Sequence, residues 1–253
     1  MLLLKNISFN YKLLNYGAKS LRQILTTRTF KDLVVNKKVL QGLNLHVESG
    51  SILGLVGKNG SGKTTLLRVI AEILPISNGS VTKDGDVSPI IGVNSFTDPE
   101  LTPEENIRFY ADIKGMNKNR SLAFKLAVLE FCNYSVDELK KPIKTFSSGM
   151  NARLNFALGI KEFNSIYLLD EILSVGDIEF TKKAIGEIIE LKKKNKIVIL
   201  VAHNLSIINA VADQVAILNN GQIIDFGNTE TMLNKYKGLK ENMFAETVID
   251  WLN

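Results

Sequence analysis

The stretch GKNGSGKTT at residues 57–65 constrains the fold of this chain more than any other. It fits the pattern G-x-x-x-x-G-K-[ST], with Gly57, Gly62, Lys63 and Thr64 in the four fixed places. A short apolar run, SILGLV, precedes it and predicts a buried strand, while apolar residues at helical spacing follow it. Strand, glycine-rich loop and helix together predict a cradle for a polyphosphate, in preference to an ordinary glycine turn.

The residue types in this loop suggest a role for each position. Glycines let the backbone wrap an anion closely, because they carry no side chain and tolerate positive φ. Lys63 would reach the β- and γ-phosphates of a nucleotide, and the Thr64 hydroxyl would bind Mg²⁺. The predicted nucleotide-binding residues of the loop are Gly57, Asn59, Gly60, Ser61, Gly62, Lys63, Thr64 and Thr65.

Length, composition and net charge limit the classes of protein to which this chain can belong. The chain has 253 residues, of which 45% are hydrophobic, so it can bury a substantial core. It contains no apolar run near the roughly 18 residues of a membrane span, and MLLLK is too short for a signal peptide. The single cysteine, Cys132, excludes an internal disulfide and fits a reducing cytosol. A net charge of +5 is mild and favours a solvated surface over nucleic-acid binding.

Periodicity predicts an α/β fold. Residues Leu3–Phe9 and Val39–Val47 alternate like antiparallel strands, separated by a basic segment that includes a short amphipathic helix from Ser20. Strand–helix units then alternate, which predicts a parallel sheet covered on both faces. A helical region from about Pro103 to Leu139 interrupts these units, and Asn219–Gly221 predicts a hairpin turn.

Further polar residues stand at predicted strand ends and helix starts. Asp170 and Glu171 follow a buried run, and so does His203. In such a sheet, ligands bind at the carboxyl ends of the strands, so Asp170 is a candidate Mg²⁺ ligand and Glu171 a candidate for polarising the attacking water. His203 is a candidate γ-phosphate sensor. Taken singly, these residues also fit a strand leaving the core and a structural histidine.

These residues together resemble the ATP-binding-cassette (ABC) ATPases over nearly the whole chain. Four features besides the phosphate loop carry the resemblance. Ser147–Met150 resembles the family's signature motif, and Ile166–Glu171 resembles its acidic strand. Ser174–Asp177 resembles its D-loop, and His203 resembles its switch histidine. The resemblance implies a homodimer in which each ATP lies between one phosphate loop and the partner's signature. Binding to nucleotide across the dimer would then involve Ser147, Ser148 and Gly149.

The amino-acid sequences of three stretches are similar to those of one branch of that family. SSGMNARLNFAL, DEILSVGD and PELTPEENIRF resemble ATPases that export polysaccharide, such as O-antigen, capsule or teichoic acid. The resemblance implies an ATP-hydrolysing subunit at the cytoplasmic side of the inner membrane, paired with a separate integral-membrane permease. The alternatives are an ATPase that energises export of another substrate, a soluble ABC ATPase, or a module that does not hydrolyse nucleotide. Lys63, Asp170, Glu171 and His203 argue against the last of these.

The chain also departs from the family pattern. Ser148 and Met150 replace a glycine and a glutamine of the common signature. The glutamine usual in the Q-loop is missing, with Asn94 and Asp98 as the nearby polar candidates. No aromatic residue stands in the stretch 34–40, where an adenine-stacking ring is expected, so the candidates for that role are Tyr11 and Phe30.

We expect one ABC ATPase domain with three regions. The ranges 1–98 and 156–228 would form the nucleotide-binding core with its β subdomain. Residues 99–155 would form a helical subdomain carrying the signature motif, and residues 229–253 a helical tail.

Overall fold

The computed structural model describes residues 1–14, 34–92, 96–174 and 177–239. The helix predicted from Ser20 and the candidates Phe30 and Asn94 lie outside these ranges.

The described elements alternate between strands and helices after the phosphate loop. In chain order they are β1 Leu2–Leu14, β2 Val34–Val47, β3 Ile52–Val56, α1 Lys63–Ile70, β4 Asn78–Lys83, β5 Val87–Ile91, α2 Pro103–Ile113, α3 Lys118–Cys132, α4 Ser148–Ile160, β6 Ile166–Asp170, α5 Ile178–Lys193, β7 Ile197–Val201, α6 Leu205–Val211, β8 Gln214–Asn219, β9 Gln222–Asn228 and α7 229–239. Single 3₁₀ turns at Ile143–Thr145 and Ile172–Ser174 precede α4 and follow β6.

The larger sheet is the mostly parallel one that the sequence predicts. Its order is β5-β6-β7-β3-β8-β9, and every neighbouring pair is parallel except the hairpin of β8 and β9. All five residues of β3, of β6 and of β7 are buried. Continuous apolar runs of this kind are typical of parallel strands covered on both faces. The carboxyl ends of β3, β6 and β7 therefore meet at one edge of the sheet.

A smaller antiparallel sheet, in the order β2-β1-β4, forms the predicted β subdomain. Leu43, Leu45 and Val47 are buried, as the alternation predicts. Strands β1 and β2 run further than the sequence pattern indicates, because their outer halves, which do not alternate, still pair from Asn10↔Lys38 to Leu14↔Val34. A register shift between Phe9 and Asn10 marks the point where this extension begins.

The predicted helical region is divided into two helices. Helix α2 ends before Gly115, which has φ +62°, and α3 begins after its N-cap Asn117. Helix α2 starts with a reciprocal capping box, in which Thr102 and Glu105 bond each other's backbone N–H groups. The aromatic rings of Phe131, Phe156 and Phe180 then join α3, α4 and α5 in one apolar cluster.

A buried polar group ties α2 to the start of β6. Glu162 is only 5% exposed, and its Oε1 accepts from the Tyr110 hydroxyl at 2.6 Å and pairs with Lys114 Nζ at 2.7 Å. Its Oε2 accepts from Asn164 Nδ2 at 2.6 Å. The Glu162 carbonyl accepts from the hydroxyl of Tyr167, a residue of β6. The carboxylate is thus paired and hydrogen-bonded, as a buried charge must be.

Candidate functional site

The phosphate loop is held against the hairpin of β8 and β9. A Cβ atom on Gly57 would lie 2.2 Å from the carbonyl oxygen of Leu218, so only glycine fits there. Gly221, in the hairpin turn, donates its N–H to the Ser61 carbonyl at 3.0 Å. Gly62 has φ +108° and forms the N-cap of α1, a conformation that also favours glycine. The loop and the helix N-terminus are therefore fixed from both sides.

Lys63 folds its side chain back over this loop. Its ammonium donates to the carbonyls of Gly57 at 2.9 Å and Lys58 at 3.0 Å. Burial lowers the pKa of Lys63, while the negative charges of Glu171 and Asp170 raise it again in part. The Lys63 ammonium is thus held at the loop by two backbone carbonyls, and a bound anion could take their place as its hydrogen-bond acceptor.

Thr64 and Asp170 form a pair of oxygen groups beside the loop. The Thr64 hydroxyl donates to Asp170 Oδ2 at 2.7 Å. Burial raises the pKa of Asp170, and the Thr64 hydrogen bond opposes that shift. The second oxygen, Oδ1, is buried and has no hydrogen-bond partner among the described residues. A hydroxyl and a buried carboxylate with an unused oxygen suit Mg²⁺, which takes oxygen ligands.

Glu171 and His203 form a second pair, at the ends of β6 and β7. His203 Nε2 lies 2.8 Å from Glu171 Oε1. Glu171 has φ +57°, an uncommon value for a residue with a side chain. Its N–H donates to the Val201 carbonyl at 3.0 Å, which anchors this turn to β7. The strand end is thus bent so that the carboxylate faces the histidine of the neighbouring strand.

The loop and this pair line one open cavity of about 410 Å³. The cavity walls include Lys63, Thr64 and other loop residues on one side, and Glu171 and His203 on the other. Asp170 contacts the site through Thr64. The structure thus brings together, within one chain, loop residues and acidic and histidine candidates that are far apart in the sequence.

Three further residues line this cavity: Tyr11, Lys37 and Val39. Tyr11 and Lys37 come from the outer halves of β1 and β2, which the sequence pattern did not assign to strands, whereas Val39 begins the strand that the pattern predicts. Tyr11 was one of the two candidates for stacking on an adenine ring, and its own ring packs edge-on against Phe9 at 4.7 Å. Lys37 and Val39 had no predicted role, because nothing local in the sequence indicates that this strand passes over the phosphate loop.

The signature residues are not among those that line this cavity. Ser147 is the N-cap of α4 and accepts a hydrogen bond from the Met150 N–H at 3.2 Å, while Ser148 and Gly149 form the first turn. Asp177 caps α5 by accepting from the Phe180 N–H and also pairs with Arg153 of α4 at 3.4 Å. The D-loop residues 175 and 176 lie outside the described ranges.

Of the two Q-loop candidates, only Asp98 falls within the described ranges, where it stabilises a turn. Its carboxylate accepts from the Glu100 N–H at 2.9 Å, and its backbone N–H donates to Asn106 Oδ1 at 2.7 Å.

Solved structures identify the fold of this chain, and a family model identifies its family. The chain superposes with TM-score 0.73 on a dimeric, post-hydrolysis state of the ATP-binding cassette MJ0796 bound to ADP and Pi, at 19% identity, covering 90% of this chain and 99% of that one. It also superposes with TM-score 0.72 on an ATP-binding subunit of an ABC transporter, at 20% identity, covering 94% and 93%. The fold is therefore that of an ATP-binding cassette. The ABC transporter family model matches residues 40–174, and the chain belongs to that family.

Curated relatives carry a more specific name. The chain is 35% identical over 208 residues to the teichoic acids export ATP-binding protein TagH of Lactiplantibacillus plantarum, which covers 82% of this chain. It is also 35% identical over 233 residues to the protein of the same name in Levilactobacillus brevis, which covers 92%. The chain spans 57% and 63% of the lengths of these two relatives. Within the ranges that the structure describes, no helix is long and apolar enough to cross a membrane.

Proposed function

We propose that this chain binds and hydrolyses ATP as the energising subunit of an exporter for a lipid-linked polysaccharide of the teichoic-acid type. One observation supports the ATPase reaction above all: Lys63, the Thr64–Asp170 pair and the Glu171–His203 pair converge on one cavity. Phosphoryl transfer depends on positioning and charge stabilisation, and these groups supply both.

Each group has a role in this proposal. Lys63 exchanges the carbonyls of Gly57 and Lys58 for the β- and γ-phosphates. Thr64 and Asp170 would hold Mg²⁺, which supplies charge neutralisation between the phosphates when bound. Glu171 accepts a proton from the attacking water, and His203 keeps the Glu171 carboxylate oriented while its ring faces the γ-phosphate. Tyr11 supplies the stacking surface for adenine.

Three variants test the reaction. Glu171→Gln should keep ATP affinity but lose about a hundredfold or more in phosphate release, as removal of a general base does. Lys63→Ala should lose nucleotide affinity itself. His203→Ala should lower turnover. The control is His46→Ala, because His46 is exposed, lies beside Glu48 and is not among the residues that line the cavity, so this change should leave turnover unaltered. Normal turnover in Glu171→Gln would refute the proposed role of the carboxylate.

The signature residues would act in a head-to-tail homodimer. Ser147, Ser148 and Gly149 are not among the residues that line their own chain's phosphate-loop cavity, and two of the similar solved structures are dimeric. Glu171 and His203 also line a second open cavity of about 470 Å³ beside Ile178, whose side chain is 77% exposed. In the dimer, the signature turn of the partner subunit would complete the nucleotide site, and apolar residues of the partner would cover the exposed Ile178 beside the second cavity.

Nucleotide should then stabilise the dimer, because ATP binds only the closed pair tightly. In sedimentation, Glu171→Gln should be dimeric with ATP and largely monomeric with ADP. Equal dimer fractions with both nucleotides would contradict this arrangement. A mixed dimer of Lys63→Ala and Ser147→Arg chains should regain one intact site and part of the activity.

Export of polysaccharide is supported by the names of the curated relatives and by the stretches that resemble this branch. In this proposal the helical subdomain, residues 99–155, docks on a separate integral-membrane permease at the cytoplasmic side of the membrane. The core, residues 1–98 and 156–228, hydrolyses ATP, and residues 229–253 form a separate C-terminal region of the same domain. Closing of the dimer would move the substrate outward.

The cellular test uses a strain whose only copy of the gene carries Glu171→Gln. The polymer should be made but remain on the cytoplasmic side, so immunolabelling should detect it in permeabilised cells and not in intact ones. A strain carrying His46→Ala should label like the wild type. Normal surface polymer in the Glu171→Gln strain would refute the export role and leave the ATPase proposal to its own test.

A further inference from the structure

We infer that Lys37 is a nucleotide-binding residue whose ammonium contacts the α-phosphate, between the adenine and the phosphate loop. This inference rests on the proposed ATP binding. Lys37 belongs to the basic segment before Val39 and lies in the stretch 34–40, where the family pattern places an adenine-stacking ring, but the sequence predicted no role for Lys37 itself.

The geometry of β1 and β2 carries the inference. Tyr11 and Lys37 are direct partners in the antiparallel register, so their side chains stand next to each other on one face. Both line the cavity above the phosphate loop. Lys38, the next residue along, pairs with Asn10, and successive residues of a strand point to opposite faces. Lys38 is not among the residues that line the cavity.

Val39 sets the position of this strand relative to the loop. A Cβ atom on Gly62 would lie 3.2 Å from the Val39 carbonyl oxygen, so the backbone of β2 almost touches the start of α1. Gln41, further along, donates its N–H to the Gly221 carbonyl at 3.0 Å, in the same turn that holds the loop. Lys37 therefore lies two residues before Val39, where β2 contacts the loop, and next to Tyr11 on the neighbouring strand.

Charge completes the argument. Lys37 is exposed and makes no ion pair with any residue that the structure describes. The cavity it lines is the one in which the β- and γ-phosphates would be held by Lys63 and the loop. A nucleotide with its base against Tyr11 and its terminal phosphates in the loop has the α-phosphate between them. That phosphate is the anion nearest to Lys37.

The test compares ligands that do and do not carry an α-phosphate. Binding of ATP, ADP and inorganic pyrophosphate to the full chain is measured by calorimetry at two salt concentrations. Lys37→Ala should weaken ATP and ADP by up to about fivefold, the range of an exposed ion pair, and reduce the salt dependence of both. Pyrophosphate, which fills only the loop, should bind as in the wild type. Lys37→Arg should restore most of the affinity.

Matched outcomes separate this inference from the proposed function. The control Lys38→Ala should bind all three ligands as the wild type does. If the wild type binds ATP and Lys37→Ala binds it equally well, Lys37 is not a nucleotide contact. If Lys37→Ala weakens pyrophosphate as much as ATP, its effect is a general attraction and the α-phosphate contact is wrong. Failure of the wild type to bind ATP would instead refute the proposed function.

Discussion

Replacing Tyr110 by phenylalanine should destabilise the fold, because it removes one hydrogen bond from a buried carboxylate. Burial and the charge of Glu162 raise the pKa of Tyr110, so its hydroxyl stays protonated and donates to Glu162 Oε1 at 2.6 Å. Hydrogen bonds to charged groups contribute about 1.5–3 kcal/mol. The ring contacts with Phe96 and Phe124 survive the change, so no cavity adds to this cost. We expect a loss of about 1.5–3 kcal/mol.

The assay is urea unfolding without nucleotide, analysed by linear extrapolation. Tyr236→Phe is the matched control, since it removes a hydroxyl that has no hydrogen bond within the described ranges, and it should stay within about 0.5 kcal/mol of wild type. Glu162→Ala removes the shared acceptor of Tyr110, Lys114 and Asn164 and should cost about 3–5 kcal/mol. If Tyr110→Phe matched the Tyr236 control, the buried carboxylate would not be what holds α2 to the core.

Three further predictions follow from local geometry. Burial raises the pKa of Asp170, so the wild type loses stability as the pH rises from about 4 through that raised pKa. Asp170→Asn removes this ionisation. Without nucleotide, the variant's melting temperature should therefore exceed that of the wild type by more at pH 8 than at pH 4. Thr102→Ala breaks the capping box of α2 and should cost about 1 kcal/mol in urea unfolding. Gly57→Ala would force a contact with the Leu218 carbonyl, costing about 1–3 kcal/mol and abolishing ATP binding in a filter assay.

Features determined by neighbouring residues were predictable from the sequence. The phosphate loop, with a buried strand before it and a helix after it, forms as the pattern indicates. The hairpin turn at Asn219–Gly221 also forms, with φ +45° at Asn220 and +76° at Gly221. The alternation of apolar residues predicts the buried face of β2 near Leu43. In each case the information lies within a few residues of the feature.

Features determined by distant partners were not predictable. Strand β5 escaped detection because Pro89 interrupts it. The structure tolerates the proline because, among the described strands, β5 lies at the edge of the sheet with β6 as its one neighbour. The outer halves of β1 and β2, residues 10–14 and 34–38, show no alternation of apolar residues, so the sequence pattern did not indicate that these strands continue past the cavity. Tyr11 was a candidate for contacting adenine, but nothing indicated that Lys37 stands beside it on the same cavity. No residue near either of them specifies the register that brings them there.

The position of β3 in the sheet has a consequence for how the chain acquires its activity during synthesis. Strand β3 carries the phosphate loop, yet it pairs only with β7 and β8, which are made near the end of the described chain. Pairing of strands so distant in sequence is slow, because a long loop must close before any contact forms. An incomplete chain on the ribosome thus holds the whole loop motif without a strand to support it. We therefore expect nucleotide binding to arise only after β8 has been synthesised, and to report the completion of folding.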